Sequence, residues 1–479
     1  MQEILKFLNF VDMKKILLFL TIVFASLLTM SAQTFEAGGI YYKVLSEDES
    51  VCSVTYPSTG QTLYSGEIII PDKVIYNEKS YQVTSVDAYA FSESPELTGV
   101  TLHSSVNSLG RNSFSDCGAL QKLSLPPTLK DIPQSCFLGC SSITGITLPG
   151  QLETIGASAF SGCSSLSSIS IPESVITIGD GAFQRCSTLE EIKLPDNVKM
   201  LGEGAFKDCS ALVSIEFPES LSEIPANSCL ACTSLSNLIL PSSLYTIEEN
   251  AFRGCTSLAE VTIPSSLQKI ENHAFELCTE LGDINFETEN LEIGDFGFSS
   301  CYSLRNINLK GVVKIGANSF ASDKALESVI FCPDLRSVGS YAFAGCSSIQ
   351  SVYCHPEIPP TLPPTAFEND VYSMATLYVV MGFGELYRQT PSWSLFVSVE
   401  DTLVDSGIED VESDRLVISI NQEGVLISGV EGPIPYSIFS VTGQVVREGT
   451  LSAGETISGL SSRQVYILKI KERTVKFTL

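Results

Sequence analysis

One aromatic side chain returns through most of this chain at a nearly fixed interval, and that interval limits what the chain can fold into. Phe91, Phe114, Phe137, Phe160, Phe183 and Phe206 are followed by Cys229 in the same register, then by Phe252, Phe275, Phe298, Phe320, Phe343 and Phe367. Nine successive steps are 23 residues and the last three are 22, 23 and 24, which makes 13 units. One unit of this size cannot bury its own apolar side, but stacked units bury it against their neighbours. The expected fold is therefore a repeat solenoid. At about 4.8 Å between neighbouring strands, it should make a rod or arc of about 60 Å, with the Phe rings stacked as an internal spine.

Each unit carries its own folding signals. A representative one runs Ile155-Gly156-Ala157-Ser158-Ala159-Phe160-Ser161-Gly162-Cys163 and continues with Leu166, Ile169, Ile171 and Pro172. The apolar spacing L-x-x-L-x-L recurs as Leu120/Leu123/Leu125, Leu189/Ile192/Leu194, Leu258/Val261/Ile263 and Leu304/Ile307/Leu309. Its last part alternates with period two, which predicts a short strand with one buried face. Pro at 126, 149, 172, 195, 218, 241 and 264 should end that strand, because Pro cannot donate to a ladder. Gly at 156, 179, 202, 294, 316 and 339 marks a turn before the A-F segment.

Ten of the 15 cysteines fall three residues after the aromatic marker: Cys117, Cys140, Cys163, Cys186, Cys209, Cys232, Cys255, Cys278, Cys301 and Cys346. Ser94, Asp323 and Asp370 take that place in three units. Equivalent side chains on stacked coils point the same way, whereas a disulfide needs converging Cβ vectors. A column of buried free thiols, acting as small hydrophobes, is the expected structure. The register also accounts for Cys229-Leu230-Ala231-Cys232. Cys232 belongs to the ladder and Cys229 replaces the spine Phe, so this C-x-x-C is not read as a redox or zinc motif. Loss of bulk at Cys229 should make its coil the loosest. Cys332 and Cys354 lie off the ladder, close in register, where a pairing stays open.

The remaining segments read as ends. Lys14 and Lys15, the apolar run Ile16 to Met30 and the small residues Ser31 and Ala32 form a signal-peptide pattern over 1–32, with cleavage near Ala32/Gln33. Met13 is an alternative start. No other long apolar run follows, so no membrane span is expected in the mature chain. Residues 33–80 form a β-rich N-terminal cap, in which Gly39-Ile40-Tyr41-Tyr42 and Gly66–Pro71 look like paired strands. The solenoid is placed at 81–354. Residues 355–400 form a C-terminal cap, with a strand at Ala375–Val380, a helical turn at Glu385 to Arg388, and Trp393 and Phe396 covering the last coil. Residues 401–411 read as a linker. Short alternating runs between glycines over 412–479 predict a small β-sandwich.

The unit I-G-x-x-A-F-x-G-C-x-S-L-x-x-I-x-I-P-x-S-V, clearest at residues 155–175, resembles the BspA-like class of leucine-rich repeats. The resemblance covers roughly 81–354. It implies a leucine-rich-repeat solenoid, displayed by a host-associated bacterium and used for adhesion to matrix proteins or other cells. Residues 412–479 are similar to the C-terminal sorting domains of type IX secretion, on Phe439-Ser440-Val441-Thr442-Gly443-Gln444-Val445-Val446 and Val465-Tyr466-Ile467-Leu468-Lys469. That likeness implies export by the same route.

The chemistry on offer points to binding and not to catalysis. The formal net charge of −27 disfavours nucleic acid and anionic lipid as partners. His103, His273 and His355 are far apart in register, and His273, directly before Ala274-Phe275, is read as a solvated loop residue. No metalloprotease, nucleophile-elbow or phosphate-loop motif occurs, and no metal or cofactor is expected. The residues between the buried ones of L-x-x-L-x-L should face outward on one sheet. They are Lys122, Ser124, Ser168, Ser170, Glu191, Lys193, Ser214, Glu216, Asn237, Glu260, Thr262, Asp283, Asn285, Asn306 and Asn308. Small polar groups over a broad face suit hydrogen bonding to a host or bacterial surface protein. They equally keep an exposed sheet soluble. Glycan capture is the alternative, although outward aromatics are few beyond Tyr353; a passive spacer with no ligand is the third reading.

Overall fold

The computed structural model describes residues 33–56, 64–286, 288–403 and, from 417 on, the strands of the tail with a few residues between them. The expected leader at 1–32 and residues 404–411 of the expected linker lie outside the described residues. The chain is a β-solenoid of about 14 turns set about 23 residues apart. It forms two compact units, residues 1–175 and 176–479.

Most coils use three kinds of segment. The L-x-x-L-x-L stretch gives a strand of the first sheet, as at Glu191–Lys193 and Glu260–Ile263, although residues 143–148 and 166–171 form none. After the Pro turn comes a two-residue strand of a second sheet, as at Thr154–Ile155 and Thr246–Ile247. The A-F segment then closes the coil through hydrogen bonds along the stack: the N–H of Phe137 donates to Ala159 O at 2.8 Å and that of Phe252 to Ala274 O at 2.8 Å. Nothing in the sequence pattern pointed to the second sheet. The Gly between it and the A-F segment is set by space as well as by turning. A Cβ on Gly202 would lie 2.2 Å from Asp180 N and 2.4 Å from Gly179 C, so only Gly lets the coils approach here.

In the N-terminal unit, Thr34–Ala37, Ile40–Ser46 and Val51–Thr55 form an antiparallel run, and Lys79–Val86 joins it in parallel. The stretches at 39–42 and 66–71 do not pair with one another. Ser65–Ile70 instead pairs in parallel with Glu96–Leu102, which pairs with Lys122–Ser124. The segment read as cap thus already supplies a strand of the first sheet. Phe91, Phe114, Phe137 and Phe160 stack at 5.0, 5.4 and 5.3 Å between ring centroids. Tyr64 closes the outer end, 4.7 Å from Phe91, with its hydroxyl donating to Thr55 O at 3.0 Å.

In the C-terminal unit the first sheet runs as parallel groups: Glu191–Lys193, Ser214–Glu216 and Asn237–Ile239; Glu260–Ile263 with Asp283–Phe286; and Asn306–Leu309, Ser328–Phe331, Ser351–Cys354, Thr376–Val380 and Ser398–Leu403. The last strand reaches into the stretch read as linker. The spine continues from Phe252 to Phe367 at 4.9–5.5 Å per step. Tyr372 and Phe396 then meet Phe367 edge-on at 5.7 and 5.6 Å. Trp393 is fully buried and donates its indole N–H to Pro360 O at 2.8 Å. The tail holds two antiparallel sheets, one of Val417–Asn421, Gly424–Ser428 and Thr456–Ile457, the other of Val445–Leu451, Ile434–Ser440, Val465–Ile470 and Arg473–Thr478.

The gap at Cys229 is filled from elsewhere. In two other coils a Phe ending the first-sheet strand meets the next spine ring along the chain: Phe286 on Phe298 and Phe331 on Phe343. For the equivalent Phe217, the next spine position is Cys229. Phe217 reaches past it to Phe252, edge-on at 6.2 Å and 79°. Phe217 is 2 % exposed, so bulk lost in one coil is returned by its neighbour, against the expectation of a loose coil.

Candidate binding surfaces

Outward side chains of the first sheet come from alternate strand positions, because the other positions point into the core. The residues singled out by sequence are all exposed except Ser214 and Asn308, which are half-buried. Lys122 and Ser124 share a strand of the N-terminal unit, where Lys122 pairs with Glu67. Ser168 and Ser170 are exposed but belong to no strand, which corrects their placement on the sheet. In the C-terminal unit the register sets Glu191, Ser214 and Asn237 in one row, and Asn237 donates to Ser214 Oγ at 3.1 Å. Lys193 and Glu216 are neighbours in the next row. Glu260 lies beside Asp283, and Thr262 beside Asn285.

Asn306 and Asn308 begin two longer rows. Asn306 is followed by Ser328, Ser351, Thr376 and Ser398; Asn308 by Ile330, Tyr353, Tyr378 and Glu400. Ser328 Oγ donates to Asn306 Oδ1 at 2.7 Å, and Cys332 Sγ donates to Asn308 Oδ1 at 3.3 Å. Tyr353 and Tyr378 stack at 4.9 Å. The sequence reading missed Tyr378 because it lies beyond the last clear repeat, although Leu377 and Val379 alternate around it as any strand of the sheet does.

The thiols sit inside. All 15 cysteines are buried thiols outside any disulfide, Cys332 and Cys354 among them. The ladder thiols do more than fill space. They reach the carbonyl of the spine residue one coil back: Cys140 to Phe114 O at 3.1 Å, Cys163 to Phe137 O at 3.2 Å, Cys278 to Phe252 O at 3.3 Å and Cys346 to Phe320 O at 2.9 Å. A buried carbonyl needs a donor, and the S–H supplies a weak one from a small apolar side chain. Burial pushes the Cys117, Cys163 and Cys278 thiols up to about 12, so they stay protonated and unreactive at neutral pH. Cys136, outside the ladder and unread in the sequence, contacts Ser113 Oγ at 3.3 Å.

His273 lies in a turn, as expected, but is half-buried and held by its neighbours. Its ring stacks on Phe296 at 4.8 Å and 7°, and its Nδ1 lies 3.0 Å from Glu276 Oε2. His103 stands apart with Asp72 and Ser105 in the N-terminal unit. Among the described residues no group of three or more His, Cys, Asp or Glu side chains is placed to hold a metal ion. Nor is any helix of them long and apolar enough to cross a membrane.

Comparison with known proteins fits this geometry. The BspA-type leucine-rich repeat region matches residues 73–189, 153–269 and 246–372, together more than half of the chain. A leucine-rich repeat protein from Bacteroides ovatus is 29 % identical, over 67 % of this chain and 94 % of that one, with a TM-score of 0.51. The pneumococcal vaccine antigen PcpA is 20 % identical, over 79 % of this chain and all of that one (100 %), also with a TM-score of 0.51. No curated protein matches the chain.

Proposed function

The chain belongs to the BspA-type leucine-rich repeat family, and from that premise we propose that it is a secreted or surface-displayed adhesin that binds a protein partner through the first sheet of its C-terminal unit. The observation that carries this reading is the makeup of that face. Its rows hold exposed Asn, Thr and carboxylate side chains and half-buried Ser on a rigid parallel ladder, with the half-buried Tyr353–Tyr378 pair among them. Rigid strands hold such groups at fixed spacing, and tyrosines supply contact area at low entropic cost. The net charge of −27 favours a partner with basic patches and makes association depend on salt. The leader at 1–32 and the sorting-domain likeness of 412–479 support export to the outer surface in the same reading.

The test is a biosensor measurement of the mature protein, residues 33–479, against a panel of extracellular-matrix proteins at two salt concentrations. Saturable binding that weakens at high salt is expected. Replacing Asn285, Asn306 and Asn308 together by Lys should abolish it while the protein stays folded, with only a small drop in thermal midpoint from the lost Asn306 and Asn308 hydrogen bonds. Silence across the panel, or binding untouched by the triple change, refutes the assignment to this face.

A further inference from the structure

The turns between the two sheets are tied to one another along the stack. Three residues before their second-sheet strands, Ser174, Ser243 and Ser266 donate their hydroxyls to a leucine carbonyl of the preceding coil: Leu152 O at 2.6 Å, Leu221 O at 3.3 Å and Leu244 O at 2.6 Å. The tie is lost at the end of the array. There Thr361 bridges to Ser337 at the second sheet, and Ile358 stands three residues before it. Ile358 has no donor to offer Leu335 O, and it is 80 % exposed. Between the two turns lies an open cleft of about 680 Å³, lined by residues 333–336 and 355–361. Small-ligand sites fall in the range of about 300–1,000 Å³.

Both walls are held without a ligand. Thr361 N–H donates to Arg336 O at 2.9 Å, Val338 N–H to Thr361 O at 2.8 Å and His355 N–H to Phe331 O at 2.9 Å. From the cap, Tyr387 donates its hydroxyl to Pro356 O at 2.6 Å and Trp393 its indole N–H to Pro360 O at 2.8 Å. Pro333, Pro356, Pro359 and Pro360 fix φ along the walls, so little entropy is left to lose on binding. Arg336, Asp334 and Glu357 also line the cleft; they are exposed and make no ion pair among the described residues. An anionic ligand would meet two of these carboxylates and a chain charge of −27. A neutral sugar would cover three charged groups without pairing them, at a cost in desolvation. A chain with cations toward one end, a carboxylate at the other and apolar side chains between pairs all three. It also lays its apolar part on Ile358 and the prolines.

We propose that this cleft binds short zwitterionic peptides, with Arg336 taking the terminal carboxylate and Asp334 and Glu357 the cationic end. The site lies off the first sheet and does not depend on the protein-binding reading of that face.

The experiment titrates the mature protein calorimetrically with the tripeptide Lys-Val-Ala, with its C-terminal amide, and with acetyl-Gln-Val-Ala, which lacks both cations. Saturable binding of Lys-Val-Ala is expected. Each altered peptide should bind about tenfold more weakly, the scale of one charge-assisted contact. Arg336→Gln should weaken Lys-Val-Ala to the level of its amide and bind the two alike. The double variant Asp334→Asn, Glu357→Gln should bind Lys-Val-Ala and acetyl-Gln-Val-Ala alike. Ile358→Ser restores a hydroxyl for Leu335 O and removes the apolar wall, so it should weaken binding of Lys-Val-Ala as well. All four side chains are exposed, so thermal midpoints should hold and show every variant folded. No saturation with Lys-Val-Ala, equal binding of the three peptides by the unchanged protein, or a preference for acid over amide that survives Arg336→Gln overturns the proposal.

Discussion

The coil at Cys229 and the coil at Asp323 each break the interior pattern, one by losing volume and the other by bringing a carboxyl inside. They are resolved differently. At Cys229 the backbone keeps its place: its N–H donates to Ala251 O at 2.8 Å and its carbonyl accepts the Cys255 thiol at 3.3 Å. The missing ring is replaced by Phe217. At Asp323 one oxygen accepts the Cys301 N–H at 2.7 Å, but Oδ2 is buried with no partner. Burial drives this carboxyl well above the usual carboxylate range, so the proton-bearing form is favoured, with Cys301 and Cys346 as its titratable neighbours. Volume can be lent by a neighbouring coil. A hydrogen bond has to be made on the spot.

The largest effect that could break this contrast is at Phe217. If it stands in for a spine ring, Phe217→Ala should cost about 3–5 kcal/mol in urea unfolding, as much as Phe275→Ala. A cost near that of losing an ordinary strand-end Leu would show the Cys229 coil to be uncompensated.

A smaller effect is expected at Asp323, with a definite sign in pH. The folded state holds the carboxyl proton more tightly than the unfolded chain. Stability should therefore fall as pH rises above the ordinary carboxylate pKa of about 4, until the folded pKa is passed. Asp323→Cys should gain about 1–3 kcal/mol at pH 7 and progressively less toward pH 4, read as thermal midpoints at the two values. An equal gain at both would remove titration from the explanation.

The smallest test isolates the donor. Cys278→Ala keeps most of the volume but leaves Phe252 O without its thiol, and should cost about 1 kcal/mol. No loss would mean that ladder thiols act by size alone, leaving only the buried carboxyl with its unpartnered oxygen to distinguish Asp323.

Much of the interior was legible because it is periodic. The Phe register, the Cys column and the Pro stops each recur often enough to identify themselves. What escaped notice lacks a period of its own. A second-sheet strand such as Thr154–Ile155 is too short to show alternation. Phe217 sits well ahead of the gap it fills, at a place where most other coils hold Leu or Ile. Tyr64 closes the spine from outside the repeat. Asn308 has outward spacing, yet the thiol of Cys332 ties it down.

The exchange of hydrogen bonds between coils has a consequence for how such a chain changes length. Spine residues offer an N–H to the coil after them, and their carbonyls take a thiol from that same coil, so one join presents the same pair of contacts as the next. Coils that keep this pair of contacts are therefore interchangeable parts, the Cys229 and Asp323 coils excepted. Excising or duplicating one such repeat recreates the same junction, so tandem copying can lengthen or shorten the molecule there without a compensating substitution elsewhere.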